Sequence, residues 1–149
     1  MSHKTQRIAA FISSLKDREL DPHYLGYFEC FNRQLFFEAH EVLEELWLGE
    51  RGRQDDRFFK GLIQLAGAFV HLQKLRTRPA VALFKLARTN LGQYPSVHHF
   101  LDLKELEQLI DAWIIRLESS PESAPVVEPA DWPKLALRQA GFGAGAETD

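Results

Sequence analysis

The sequence predicts an all-α protein, built as a compact antiparallel helical bundle of about five main helices with an extended C-terminal tail. Apolar residues recur at spacings of three and four along several segments of the 149-residue chain, which is the periodicity of amphipathic helices. Strand-like alternation and internal repeats do not stand out. The connections between the periodic segments are short, and short connections favour antiparallel neighbours.

Two short amphipathic helices come first, over residues 5–17 and 24–31. Their apolar positions are Ile8, Phe11, Ile12 and Leu15 in the first helix, and Tyr24, Tyr27, Phe28 and Phe31 in the second. The Asp21-Pro22 pair ends the first helix, because the residue before a proline disfavours helical geometry. The polar turn at residues 32–34 ends the second.

Four further helices are predicted over residues 35–48, 56–75, 80–91 and 103–118. Gly49 is suited to the left-handed position that ends a helix, so we expect the first of these to stop there. Asp55 or Asp56 is a candidate cap for the next helix, which is the most apolar in the chain. Asp102, followed three residues later by Glu105, resembles a capping box and marks the start of the last helix.

The composition indicates one folded domain. A chain of this length has room for a single core, and its 45% hydrophobic and 26% charged residues are typical of globular proteins. We expect a single helical domain over residues 1–118. Residues 119–149 form a Pro/Gly/Ala-rich tail that we expect to be partly disordered, with Trp132 as an anchoring contact.

Charge, cysteine content and hydropathy exclude several classes of partner. A net charge of −3 provides no positive field for nucleic acid, and the basic strip from Lys74 to Arg88 is interpreted as a solvated face. Cys30 is the single cysteine, so an intramolecular disulfide and a thiolate-rich metal site are excluded. No apolar run is long enough for a membrane span or a signal peptide. The sequence therefore predicts a cytoplasmic protein with no nucleic-acid and no membrane partner.

The helix predicted over residues 35–48 carries the residues most suggestive of a site. Phe36, His40, Leu43, Glu44 and Trp47 share one face at helical spacing. A histidine and a glutamate inside an aromatic stripe are costly to bury unless they pair or bind something. On the next helix, Gln64 and His71 share a face with the small residues Gly67 and Ala68. Antiparallel packing would bring His40, Glu44, Gln64 and His71 into one internal polar cluster between Phe36 and Trp47.

Three interpretations of this cluster remain open. In the first, it is a structural network in which Glu44 accepts from a histidine and Gln64 bridges to the backbone. In the second, His40, Glu44 and His71 bind a divalent transition metal, since two imidazoles and a carboxylate suit such an ion. In the third, it performs metal-free acid–base chemistry, with Glu44 as the base and Glu41 as a second candidate catalytic carboxylate.

Ligand-binding roles are also conceivable for residues around the cluster. Phe36 and Trp47 are candidate walls of a small-molecule pocket, with Gln64 and Asn32 as polar contacts, although aromatic residues at this spacing are more often core and Asn32 more often a cap. The His98-His99 pair is predicted to lie in an exposed loop, where it could bind adventitious metal, although such a pair is usually neither ligand nor catalyst. Cys30 is predicted to be a small buried hydrophobe.

Two motifs resemble a known family. The run FNRQLFFEAHEVLEELW begins at Phe31, and FFKGLIQLAGAFVHL begins at Phe58. Together they resemble the family of domains of unknown function numbered 309, over about residues 24–92. The matching positions are Asn32, Phe36 or Phe37, Glu38, Ala39, His40, Glu41, Glu44, Trp47, Gly61, Ile63, Gln64 and His71. Lys60 departs from the glutamine expected before the glycine. The resemblance implies a compact helical bundle and no established activity.

The sequence therefore favours a non-catalytic binding or assembly module whose His/Glu/Gln cluster is structural. Its exposed helical faces would recruit another protein or a second copy of the chain. The alternative is a metal-dependent or acid–base enzyme, hydrolase-like, that acts on a small molecule at His40, Glu44 and His71.

Overall fold

A computed structural model describes residues 20–119 and 129–138, and it confirms the all-α prediction. The elements follow one another as α1 (Pro22–Asn32), α2 (Phe36–Glu50), α3 (Asp56–Gln73), α4 (Thr77–Leu91), β1 (Val97–His98), β2 (Leu101–Asp102), α5 (Leu103–Glu118) and a 3₁₀ turn (Pro129–Asp131). The helix predicted over residues 5–17 lies outside the described residues. Within the described ranges, no helix is both long enough and apolar enough to cross a membrane.

Helix α3 is the centre of the bundle and packs between α2 and α4. It runs antiparallel to α2, because the Phe36 and Phe69 rings stack at one end while Trp47 Nε1 donates to Asp56 Oδ1 at the other, over 2.7 Å. Helix α1 packs on α2, and α5 packs on α4. The Tyr27 hydroxyl donates to the Leu62 carbonyl over 2.6 Å, which ties α1 to α3 as well.

The ends of the helices follow the predicted signals in part. The Asp102 side chain accepts a hydrogen bond from Glu105 N over 2.9 Å, so the predicted cap of α5 is confirmed. The prediction that α2 stops at Gly49 is wrong, since the helix continues to Glu50. The left-handed residue of this connection is Gly52, with φ of 78°. Its amide donates to Asp56 Oδ2, and this bond fixes the turn three residues later than predicted.

A small antiparallel hairpin joins α4 to α5, an element that the sequence analysis did not predict. Val97 pairs with Asp102 and His98 pairs with Leu101, which leaves His99 and Phe100 as a two-residue loop. Both loop residues have positive φ, 48° and 63°. Hairpins of this kind usually carry Asn-Gly there, and that signal is missing from this sequence.

The described part of the tail, residues 129–138, packs against the bundle. Trp132 lies 5.4 Å from the Phe36 ring and 5.9 Å from the Phe69 ring, which confirms it as an anchor. Leu135 is buried, and its backbone is held by the Asn32 side chain. Asn32 Nδ2 donates to Leu135 O, and Leu135 N donates to Asn32 Oδ1, each over 2.7 Å. The tail therefore completes the core.

Gly61 permits the close approach of α4 to α3, and we expect its replacement by alanine to destabilise the protein. A Cβ at this position would lie 2.8 Å from Leu91 Cγ and 3.3 Å from Asn90 Cβ. We expect Gly61→Ala to lower the free energy of unfolding by about 1–3 kcal/mol, measured by urea denaturation. Gly49→Ala is the control, because no atom lies within 4 Å of its Cβ position. It should leave stability unchanged or raise it by up to about 1 kcal/mol, since alanine is the better helix former.

The paired hydrogen bonds between Asn32 and Leu135 make a second prediction. Asn32→Leu keeps the branched shape of the side chain and removes both bonds, so we expect the free energy of unfolding to fall by about 1–3 kcal/mol. Hydrogen exchange of the Leu135 amide should accelerate at the same time. Gln73→Leu, which removes a 3.1 Å bond from an exposed side chain to Gln34 O, should change neither quantity appreciably. Unchanged exchange at Leu135 in Asn32→Leu would contradict this role of Asn32.

Candidate functional site

Helices α2, α3 and α4 lie side by side, and one side of this layer is open. The other side is covered by α1, α5 and the tail, through Tyr27 on Leu62 and through Trp113 and Trp132 on Phe69. On the open side, α3 presents half-buried and exposed residues at helical spacing: Lys60, Ile63, Gly67 and Val70. We call the outward surface of these three helices the open face.

Helix α2 contributes exposed apolar residues to the open face. Phe37 is 52% exposed and Leu48 is 49% exposed. They are eleven residues apart, which returns almost to the same angular position on a helix, so both project on one side about 16 Å from each other. Glu41, exposed, and Glu44, half-buried, lie between them. This side of α2 is therefore apolar at both ends and acidic in the middle.

Helix α4 packs along α3 and adds one more exposed leucine to the open face. Asn90 Nδ2 donates to Gln64 Oε1 over 2.7 Å, so the predicted site residue Gln64 bonds to another side chain and not to backbone. Leu83 packs over Gly67, where a Cβ would lie 3.1 Å from Leu83 Cδ1. Leu86, one helical turn further, is half exposed. The open face thus has apolar positions on all three helices.

The polar residues predicted to form an internal cluster lie at half-buried positions. These residues are His40, Glu44, Gln64 and His71. Among the described residues, no charged, amide or imidazole side chain is fully buried, so the cost of burying them is smaller than the sequence pattern implied. His40, Glu44 and His71 do not form a group of donor atoms at metal-binding distances in the described part of the chain. The hypothesis that they bind a metal stays a prediction.

His71 is the member of this set with a perturbed environment. Its Nδ1 atom is buried and has no hydrogen-bond partner, as is also true of Thr77 Oγ1. Burial lowers the pKa of His71, and the positive charges of Arg76 and Lys74 lower it further. Its imidazole is therefore neutral at pH 7, which is the form that binds metals and accepts protons.

The other predicted ligand-binding residues have structural partners. Phe36 is fully buried against Phe31 and Phe69, as the core interpretation predicts. Trp47 is half-buried and donates to Asp56, whose pKa is lowered by the hydrogen bond from Gly52 N and by that from Trp47. Asn32 holds the tail. Whether any of these side chains, or the exposed Glu41, also meets a ligand stays a prediction.

The structure brings together one group that the sequence analysis did not assemble. Asp55, His98 and His99 each offer a ligand atom, and these atoms lie within 4.8 Å of one another. The adjacent histidines were visible in the sequence, but Asp55 is more than forty residues away and the hairpin that carries the histidines was not predicted. Cys30 is buried as predicted, and burial raises the pKa of its thiol to about 12, so the thiol stays protonated.

The comparison with family models confirms the resemblance seen in the sequence. Residues 24–83 match the model of DUF309, a domain of unknown function. The matched segment contains all of α2 and α3, and therefore every residue that these two helices contribute to the open face. Neither a curated protein nor a solved structure matches the chain. Over residues 24–83 the chain is therefore similar to DUF309.

Proposed function

We propose that the protein is a non-catalytic assembly module that pairs with a second copy of itself through the open face. The observation that carries this proposal is the exposed Phe37 on α2, which faces outward on the same side of the bundle as the half-buried Gly67 and Val70 on α3. An exposed aromatic ring on one helix and a half-buried glycine and valine on the next give the face two different surfaces that can contact each other across a two-fold axis. Such self-complementarity is the requirement for a two-fold dimer.

The register of α2 against α3 supports this pairing. Phe37 and Val70 each directly follow a member of the Phe36–Phe69 stack, so in these antiparallel helices they lie only about 3 Å apart along the bundle. Along α2, Glu44 lies about 4.5 Å from Trp47 toward the Phe36–Phe69 end of the bundle. Along α3, Lys60 lies about 6 Å from Asp56 toward the same end, because the helices are antiparallel. Glu44 and Lys60 therefore lie at nearly the same level along the bundle.

A dimer can form about a two-fold axis that runs parallel to α2 and α3, in front of the open face and midway between the two helices. Rotation about this axis leaves the position of every residue along the bundle unchanged, and it places α2 of one copy opposite α3 of the other. Phe37 of one copy then meets Gly67 and Val70 of the other. Glu44 of one copy meets Lys60 of the other, so both contacts form twice in the dimer. The buried aromatic ring would supply most of the binding free energy, and the charge pair would select the register.

The charges of α2 argue against the simplest alternative dimer. In residues 20–119 and 129–138, Glu41 and Glu44 form no ion pair. A dimer in which α2 packs on α2 would place these carboxylates opposite their own copies, and like charges in contact are unfavourable. Pairing of α2 with α3 avoids this repulsion and gives Glu44 a lysine partner.

One observation favours the enzymatic alternative, in which His40, Glu44 and His71 act on a small molecule. His71 is neutral at pH 7, and its Nδ1 atom lacks a hydrogen-bond partner. An imidazole of this kind is available to a ligand or to a proton. We give it second place, because His40 and Glu44 are not held against His71 by any hydrogen bond in the described residues.

The dimer is tested by sedimentation equilibrium of the full chain over a range of concentrations. We expect a reversible monomer–dimer equilibrium, and we expect Phe37→Ser to weaken it at least about tenfold, because an aromatic ring is lost from the interface. Ile115→Ser is the matched control, since Ile115 is also an exposed apolar residue but lies on α5. A chain that stays monomeric at every concentration would contradict the proposal.

A charge exchange tests the register itself. Glu44→Lys and Lys60→Glu should each weaken the dimer roughly fivefold, because each places like charges opposite one another. The double variant carrying both changes should regain most of the wild-type affinity. If both single variants dimerise as the wild type does, or if the double variant fails to recover, the pairing of α2 with α3 is wrong.

A further inference from the structure

The hairpin between α4 and α5 holds two imidazoles against one carboxylate. His98 Nε2 lies 2.8 Å from Asp55 Oδ1, and His99 Nε2 lies 2.8 Å from Asp55 Oδ2. The two imidazole rings are 4.5 Å apart and meet edge to face, so both ring nitrogens converge on the same carboxylate from different directions. This group lies at the start of α3, away from the open face.

The Asp55 side chain does not form the helix-capping hydrogen bond that is usual at its position. Asp55 is the N-cap residue of α3, where an aspartate usually accepts a hydrogen bond from a backbone amide of the first turn. Its side chain makes no such bond, and both of its oxygens face the histidines instead. Burial alone would raise the pKa of Asp55, but hydrogen bonds from His99 and His98 outweigh it and lower that pKa. The carboxylate is therefore ionised at neutral pH.

The histidines are held in place by the core. His99 and its neighbour Phe100 adopt positive φ, which costs free energy for residues with side chains. The Tyr24 hydroxyl donates to the His99 carbonyl over 2.8 Å, and Phe58 packs against both imidazole rings, at 4.8 Å from His98 and 5.3 Å from His99. The surrounding structure thus fixes two ligand-type side chains on a strained loop.

The geometry points to a binding site for one divalent transition-metal ion, with Asp55, His98 and His99 as its three protein ligands. Two imidazole nitrogens and a carboxylate oxygen are a donor set that suits Zn²⁺ and its neighbours in the first transition row. Around a tetrahedral ion, such donor atoms lie about 3.3 Å apart. Each 2.8 Å separation between a histidine nitrogen and its carboxylate oxygen would widen by about 0.5 Å on metal binding, and the widest separation among the three ligand atoms, at most 4.8 Å, would narrow by up to about 1.5 Å.

Exposure within the group leaves room for a further ligand on one side. The side chains of Asp55 and His98 are 20% and 19% exposed, whereas that of His99 is 37% exposed. The ion would therefore be sheltered by the aromatic core on the Phe58 side and open to solvent beside His99. Three protein ligands with one open position is the arrangement in which a metal keeps a bound water or an exchangeable ligand.

The competing explanation is a metal-free group in which the aspartate simply pairs with the two histidines. The two explanations differ in stoichiometric metal binding. We would titrate the untagged full chain with Zn²⁺ by calorimetry, and with Co²⁺ by its visible absorption, which reports coordination geometry. We expect one ion per chain, tetrahedral Co²⁺ bands, and a Zn²⁺-dependent rise in Tm, since a ligand of the native state stabilises it.

Variants locate the ion and control for folding. Asp55→Asn, His98→Gln and His99→Gln should each lower Zn²⁺ affinity at least about tenfold and remove the rise in Tm, while circular dichroism confirms that the variant is folded. His23→Gln is the matched control, because His23 also lies beside an aspartate, Asp21 at 3.3 Å, but belongs to no three-ligand group of the described residues. It should bind as the wild type does.

Two outcomes would overturn this assignment. The first is the absence of saturable Zn²⁺ binding by the folded wild-type chain, which would leave the group as a hydrogen-bonded triad. The second is stoichiometric binding that survives in His98→Gln but disappears in the double variant His40→Gln/His71→Gln. That result would place the ion at the half-buried residues of the open face instead. Because the dimer is measured separately, neither outcome bears on self-association.

Discussion

The fold depends on the packing around Phe69. This fully buried ring contacts one aromatic side chain from each of the other main helices and one from the tail, with ring centroids 5.1 to 5.9 Å apart: Phe31, Phe36, Phe84, Trp113 and Trp132. These partners surround Phe69 on the side of α3 that faces away from the open face, so they fix the rotation of α3 about its own axis. Gly67 and Val70, on either side of Phe69 in the sequence, are consequently turned outward, and the open face follows from the composition of the core.

The parts of the fold that local sequence determines could be predicted. The cap at Asp102 needs only a carboxylate three residues before a backbone amide, and the periodicity of α3 needs only its own apolar residues. Features that depend on distant residues could not. The tail is held by Asn32, whose partner Leu135 is 103 residues away. The turn after α2 is local, since Asp56 reaches back only four residues to Gly52, but the glycine pattern alone favoured Gly49 as its left-handed residue. The hairpin escaped prediction because His-Phe replaces the usual turn residues.

The same distinction explains the candidate site. Helical periodicity shows that His40, Glu44 and Trp47 share one face. It does not show whether that face points into the core or lies at the boundary between the core and solvent. Their half-buried positions reflect the second case: Phe36 takes the inward position, and the polar residues lie where α2 meets α3 at the surface. An aromatic stripe with ionisable members therefore describes a boundary between core and solvent as well as it describes an internal site.

The two proposed sites relate differently to the family. Phe37, Glu44, Lys60 and Val70 all lie within residues 24–83, so the proposed pairing surface lies entirely within the segment that matches the DUF309 model. The proposed metal site crosses the boundary of that segment, since Asp55 lies inside it and the histidines lie beyond it. Similarity to the family model therefore covers the surface proposed for pairing but not the two histidines proposed as metal ligands. What joins Asp55 to the histidines is the hairpin of this chain, and its strained loop is stabilised by Tyr24 and Phe58 from within the matched segment.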